Sequence, residues 1–329
     1  MNKQNRILAA ILALQVVLSL VVFWPEKSVA RGQPLFGDLS VDQIVRFSVG
    51  DTTGAKIQIA NGPEGWALPD MDDYPVLEDK VRALLEKIVG VQTDRLVTRT
   101  GDSHKRLRVT DDDYERLVEF ELADGSQHKL YLGTSPSYQV MHVRADDQAE
   151  VYLALGLSTA DAATAVTAWV DTSYFSVTQD QIVAITLDNQ NGHFEFSKDA
   201  ADVWTMVNLP AGETLLPNNV ASLATRVSSL RMMSPLGKQE QPSYSMEDPA
   251  ATVTIVTRDD QGNEKTYVVR VGALLEDEKG YVVKSATSPY YVLIADYTVG
   301  DLTERTLQDF IQVPTTPTPP SEGQPTPAP

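Results

Sequence analysis

The chain contains no cysteine. That excludes disulfides, thiolate metal sites, a cysteine nucleophile and a lipid-modified N-terminal cysteine. Any fold here must hold together by packing alone. Basic residues are the minority charge, 27 Lys and Arg against 45 Asp and Glu, for a formal net charge of −18 and a pI near 4.6. Such a surface repels phosphate, and no basic stripe offsets it, so no nucleic-acid partner is expected. The same charge opposes broad docking on anionic lipid. Histidine, the commonest general base and metal ligand, is scarce. The four are His104, His128, His142 and His193, and none pairs with another at a spacing of two or four. No Ser lies in a G-x-S-x-G pattern, and no P-loop or G-x-G-x-x-G fingerprint occurs. No catalytic, cofactor-binding or metal residue is therefore assigned, no cofactor is expected, and the reading is non-enzymatic.

What the chain does have begins at its start. An apolar run extends from Ile7 to Trp24, interrupted by Gln15 and Ser19. At about 1.5 Å per residue it just spans a hydrocarbon core of roughly 30 Å. Lys3 and Arg6 precede it and no acid does, which keeps the N-terminus in the cytoplasm and sends the remainder out. Residues 1–30 are thus expected to be a cytoplasmic stub and transmembrane anchor in the cell membrane. The alternative is a secreted protein cleaved after Ser28-Val29-Ala30, a small-x-small site. Both place residues from about 31 onward outside the cytoplasm.

Landmarks then recur at a nearly constant offset. Asp42-Gln43-Ile44-Val45 returns as Asp180-Gln181-Ile182-Val183, and Trp66 returns as Trp204, both 138 residues later. Leu77, Val81, Leu84, Leu85 and Ile88 form one helix face, and Leu216, Val220, Leu223, Ala224 and Val227 form the same face at offset 139. Gly133 and Gly272 each follow a strand-like stretch, and Tyr152 aligns with Tyr291, again at 139. Turn signals such as Ala123-Asp124-Gly125-Ser126 and Asp260-Gln261-Gly262-Asn263 bound the alternating segments.

The predicted class is α+β: two tandem repeats, 35–165 and 172–312, each an antiparallel sheet with one packed amphipathic helix, plus the N-terminal transmembrane helix. Trp66 and Trp204 read as core anchors. Residues 313–329, VPTTPTPPSEGQPTPAP, read as a disordered Pro/Thr-rich tail.

Three acidic stretches invite a Ca²⁺ reading: Asp70, Asp72 and Asp73; Asp111, Asp112 and Asp113; and Asp188-Asn189-Gln190-Asn191-Gly192. None has EF-hand spacing. The first two read as solvated turns and the third as a hairpin turn.

The ordered landmarks resemble a bacterial envelope family, domain of unknown function 4340. Its pattern of strand, W-x-l-x-x-P segment, amphipathic helix, glycine and Y-x-v-R run is met by Ile44–Val49, Trp66–Pro69, Leu77–Ile88, Gly133, and Tyr138 with Val143-Arg144 and Val151-Tyr152. In the second copy it is met by Ile182–Leu187, Trp204–Pro210, Val220–Leu230, Gly272 and Tyr244–Pro249, with Lys284 where the first copy has Arg144. The resemblance implies tandem modules behind a membrane helix, no known enzyme activity, and an accessory role at a membrane protein complex such as an ABC transporter. Three functions stay open: that interaction protein, an extracytoplasmic glycan- or peptide-binding protein, and a hydrolase using an acidic pair.

Overall fold

The computed structural model describes residues 32–312 and residue 15. The apolar run 7–24, the Ser28–Ala30 site and the tail 313–329 lie outside the described residues, save for Gln15. Among the described residues no helix is long and apolar enough to cross a membrane. The expected fold is therefore corrected to sheet units whose described residues include no membrane helix.

The chain divides into two units, one of residues up to Pro69 with Pro75–Trp169, the other of Asp70–Tyr74 with Val170 onward. The first contains strands β1 (Ile44–Gly50), β2 (Lys56–Gly62), β3 (Gly65–Leu68), β4 (Tyr74–Pro75), β5 (Leu96–Thr98), β6 (Arg116–Leu122), β7 (Gln127–Leu132), β8 (Val140–Ala145) and β9 (Val151–Leu155). They form one antiparallel sheet in the order β4-β3-β2-β1-β6-β7-β8-β9-β5; the first residue of β4, Tyr74, groups with the second unit. The second unit adds β10 (Ser173–Ser176), β11 (Ile182–Asn189), β12 (Gly192–Lys198), β13 (Trp204–Met206), β14 (Ser229–Arg231), β15 (Ser234–Gly237), β16 (Ala251–Arg258), β17 (Glu264–Leu275), β18 (Gly280–Ser285) and β19 (Tyr291–Ala295). Its large sheet runs β13-β12-β11-β16-β17-β18-β19-β15, and β10 pairs with β14 alone. Apart from β4, the two large sheets place corresponding strands in the same order.

The helix pattern was only half visible. Helix Glu78–Val89 buries Val81, Leu84, Leu85 and Ile88, and helix Pro217–Ser228 buries Val220, Leu223, Ala224 and Val227, the expected faces less Leu77 and Leu216, which precede the helices and are not buried. The plan of one helix per sheet is corrected, because each unit carries a second α-helix, Gly101–Leu107 and Asp296–Glu304. The first buries only Leu107, so it lacks an apolar period. The second carries Gly300 in its middle, which disfavours helix on propensity alone. The two-stranded β10-β14 sheet is likewise additional.

Two details show why particular landmarks recur. A Cβ on Gly133 would lie 2.0 Å from the Leu107 carbonyl oxygen, and one on Gly272 would lie 2.1 Å from that of Tyr244. Each glycine therefore lets a preceding segment cross the sheet at backbone contact. Each unit is also closed by a buried aromatic. The Leu77 amide donates to the Trp169 carbonyl (2.7 Å), and the Leu216 amide to the Phe310 carbonyl (2.8 Å). Trp169 rests on Phe47 (5.7 Å between rings), Phe310 on Phe196 (4.7 Å).

Candidate functional site

A groove of about 440 Å³ opens on the first unit's sheet. Strand register builds it. Gln58 on β2, Ser48 on β1, Glu119 on β6 and Lys129 on β7 stand in one cross-strand row, and Arg46, Glu121 and Gln127 stand in the next. Successive side chains on a strand alternate faces, so Phe47, Val49, Val118 and Phe120 are buried on the other side. The β6–β7 hairpin that brings Glu119 to Lys129 turns on Gly125 (φ 86°), with Asp124 Oδ1 accepting from the Ser126 amide at 2.9 Å.

The charges are partly spent on one another. Glu119 accepts from Lys56 Nζ at 2.9 Å, lies 3.8 Å from Lys129 Nζ, and receives the Ser48 hydroxyl at 3.4 Å. Lys56 above all, helped by Lys129 and Ser48, holds the Glu119 carboxyl below its usual range against the opposing effect of burial. Asp146, in the left-handed region (φ 46°), accepts the Lys129 amide at 2.7 Å and sits 3.0 Å from His128 Nδ1. Arg46, Glu121 and Asp147 also line the groove. Their side chains make no hydrogen bond or ion pair among the described residues.

The second sheet lacks the Arg46, Glu119, Glu121 and Lys129 charges at the same places, though it carries Glu195 where the first has Gln58. Where the first has Arg46, Ser48, Glu119, Glu121 and Lys129, the second has Ala184, Thr186, Thr254, Val256 and Val268. A shared fold needs the buried face in both sheets. It does not need four charged residues on one sheet and none at their counterparts on the other.

The residues singled out in sequence fall elsewhere, with one exception. His104 Nε2 meets the Ala149 carbonyl (2.8 Å), His142 Nδ1 the Thr134 carbonyl (2.8 Å), and His193 pairs with Asp188, which raises its pKa. Only His128 lines the groove. Asp111 accepts from Arg144 and Asp113 from Arg108, while Asp112 accepts from Thr110. Asp72 Oδ2 accepts the Lys238 amide at 2.6 Å, and the Asp73 carbonyl accepts the Tyr290 hydroxyl at 2.8 Å, both within the second unit. Asn189 and Asn191 form the expected hairpin and also donate to the Leu302, Arg305 and Glu304 carbonyls at the end of helix Asp296–Glu304. Among the described residues, no group of three or more His, Asp or Glu is placed to hold a metal ion.

Arg144 is the most buried cation among the described residues. It donates to the Val109 carbonyl (2.6 Å), the Asp146 carbonyl (2.8 Å) and Asp111 Oδ1 (2.6 Å), and lies 4.2 Å from the centre of the Tyr131 ring. Burial pushes the Tyr131 hydroxyl up to about 12. Lys284, at the same place in the second sheet, meets only the Ser288 carbonyl and the Tyr291 ring (5.1 Å), and burial lowers its pKa.

A model of a known family, Domain of unknown function (DUF4340), matches residues 66–217, a stretch that includes Glu119, Glu121, Lys129 and Asp146. No curated protein and no solved structure matches the chain.

Proposed function

We propose that this chain, a member of the DUF4340 family, is a non-enzymatic binding protein whose first unit holds a polar ligand or partner segment on its open sheet face. One observation carries the reading: Arg46, Glu119, Glu121 and Lys129 have only uncharged residues at the corresponding places of the second sheet. Charges kept on one of two like sheets are explained by recognition rather than by folding. Arg46 and Glu121 line the groove and make no ion pair among the described residues, as a site needs if a ligand is to complete the pairing. The chain's apolar run behind Lys3 and Arg6 supports work outside the cytoplasm. The family resemblance makes a membrane transporter complex the partner to test first.

The experiment is capture of partners from detergent-solubilised native cells with the full chain and with the Arg46→Ala, Lys129→Ala double variant. A defined partner held by the parent chain and lost by the variant is expected. The same partners recovered by both chains would remove the groove from the function.

A further inference from the structure

We infer that the groove takes a short extended peptide segment carrying a lysine or arginine. This rests on the binding role just proposed and adds the chemistry of the occupant.

The lining holds two cations, Arg46 and Lys129, against four carboxylates, Glu119, Glu121, Asp146 and Asp147. Glu119 is already engaged by Lys56 and Lys129, and Asp146 by His128 and the Lys129 amide. Glu121 and Asp147 are left without a partner among the described residues. They are the places for a ligand cation. Arg46 stands directly opposite Glu121 in the register yet makes no ion pair with it. Its guanidinium is free to donate to a carbonyl or carboxylate oxygen. A ligand that satisfies both must present a cation and an acceptor close together. A polyamine has no acceptor, and a neutral glycan has no cation. A basic peptide has both, and its backbone offers further partners to the Gln58 and Gln127 side-chain amides.

The length also fits. From β2 to β7 the row crosses four strands at about 4.8 Å spacing, or about 14 Å, which is about four extended residues. The protein's net charge of −18 steers a basic segment toward it and makes the affinity fall with salt.

The test uses the full chain and three probes: a tetrapeptide with two lysines, the same peptide with glutamates, and spermidine. Binding is read by calorimetry and by shifts of the β1, β6 and β7 amide resonances. The lysine peptide is expected to shift those resonances and to bind at least about tenfold more tightly than either other probe. Glu121→Gln is expected to weaken it about tenfold, the effect of one lost charge-assisted contact. Glu195→Gln, on the second sheet, is the control and is expected to change nothing. Equal or tighter binding of the glutamate peptide or of spermidine would overturn the inference. So would indifference to Glu121→Gln in a variant whose circular dichroism matches the parent. In those cases, a natural partner still lost on Arg46→Ala, Lys129→Ala would leave the binding role standing with a different occupant. A natural partner indifferent to that double variant would remove both.

Discussion

Arg144→Lys keeps the charge and removes the geometry. The guanidinium makes three hydrogen bonds at 2.6–2.8 Å, two of them to backbone carbonyls, and its plane lies over Tyr131. A lysine ammonium cannot span all three acceptors from one point. Each bond from a charged donor contributes about 1.5–3 kcal/mol net, but they are not equal here. The Asp111 side chain is 75% exposed, so water replaces that contact at a cost of at most about 1 kcal/mol. The Val109 carbonyl meets Arg144 in a buried setting, and its loss carries most of the effect. With the ring contact worth about 0.5–1 kcal/mol, the substitution should cost about 3 kcal/mol. For a unit of this size that lowers the melting temperature by about 6–12 °C. Because the chain has two units, calorimetry should show the shift in one transition, and hydrogen exchange at the β7 and β8 amides should assign it to the first unit. Asp111→Ala should cost less than about 1 kcal/mol. If Asp111→Ala proves as damaging as Arg144→Lys, the exposed ion pair and not the buried carbonyls holds this region, and the reasoning fails.

The crossing glycines should be intolerant in both units. Gly133→Ala and Gly272→Ala each force a Cβ to within about 2 Å of a carbonyl oxygen, and each should cost at least about 1–3 kcal/mol in thermal melts. Acid sensitivity should run through Glu119. Its folded pKa lies below the ordinary value of 4.5, so its contribution to stability is present above that value and lost as pH falls through the folded pKa. Glu119→Gln should flatten that limb of an acid-unfolding curve, and an unchanged limb would contradict the pairing with Lys56.

Much of the fold was legible wherever a residue's role is periodic. The buried helix faces at 81–88 and 220–227 follow from apolar spacing, which survives any change of neighbour. Residues whose role is set by register were misplaced. Tyr152 aligns with Tyr291 in sequence, yet Tyr152 faces Val143 whereas Tyr291 faces Lys284. The strand partner of Val283, the counterpart of Val143, is Val292. A one-residue shift before these strands moves every comparison to the opposite face. The groove was invisible for a related reason: Ser48 and Glu119 meet across 71 residues of sequence, and its charges are scattered over β1, β6, β7 and the turn after β8. The acidic runs drew attention because they are contiguous. The carboxylates of Asp72, Asp111, Asp112 and Asp113 instead answer a nearby amide, two arginines and a hydroxyl. Comparing polar positions between the two halves would have found Glu119 and Lys129, had the register been known.

The aromatic closures at Trp169 and Phe310 have a bearing on how the protein is made. Each unit receives a backbone bond and a buried ring from the last residues of its own stretch, after every strand of its large sheet. A nascent chain therefore cannot complete the first unit until about residue 169 has emerged, nor the second until about residue 310. The first core can be sealed while the second half is still being synthesised. Only the five residues 70–74 must wait, because Tyr290 and Lys238, which receive them, come later. Assembly in the order of synthesis keeps the alike strands of the two sheets from being unpaired at the same time, when β1 could be mistaken for β11.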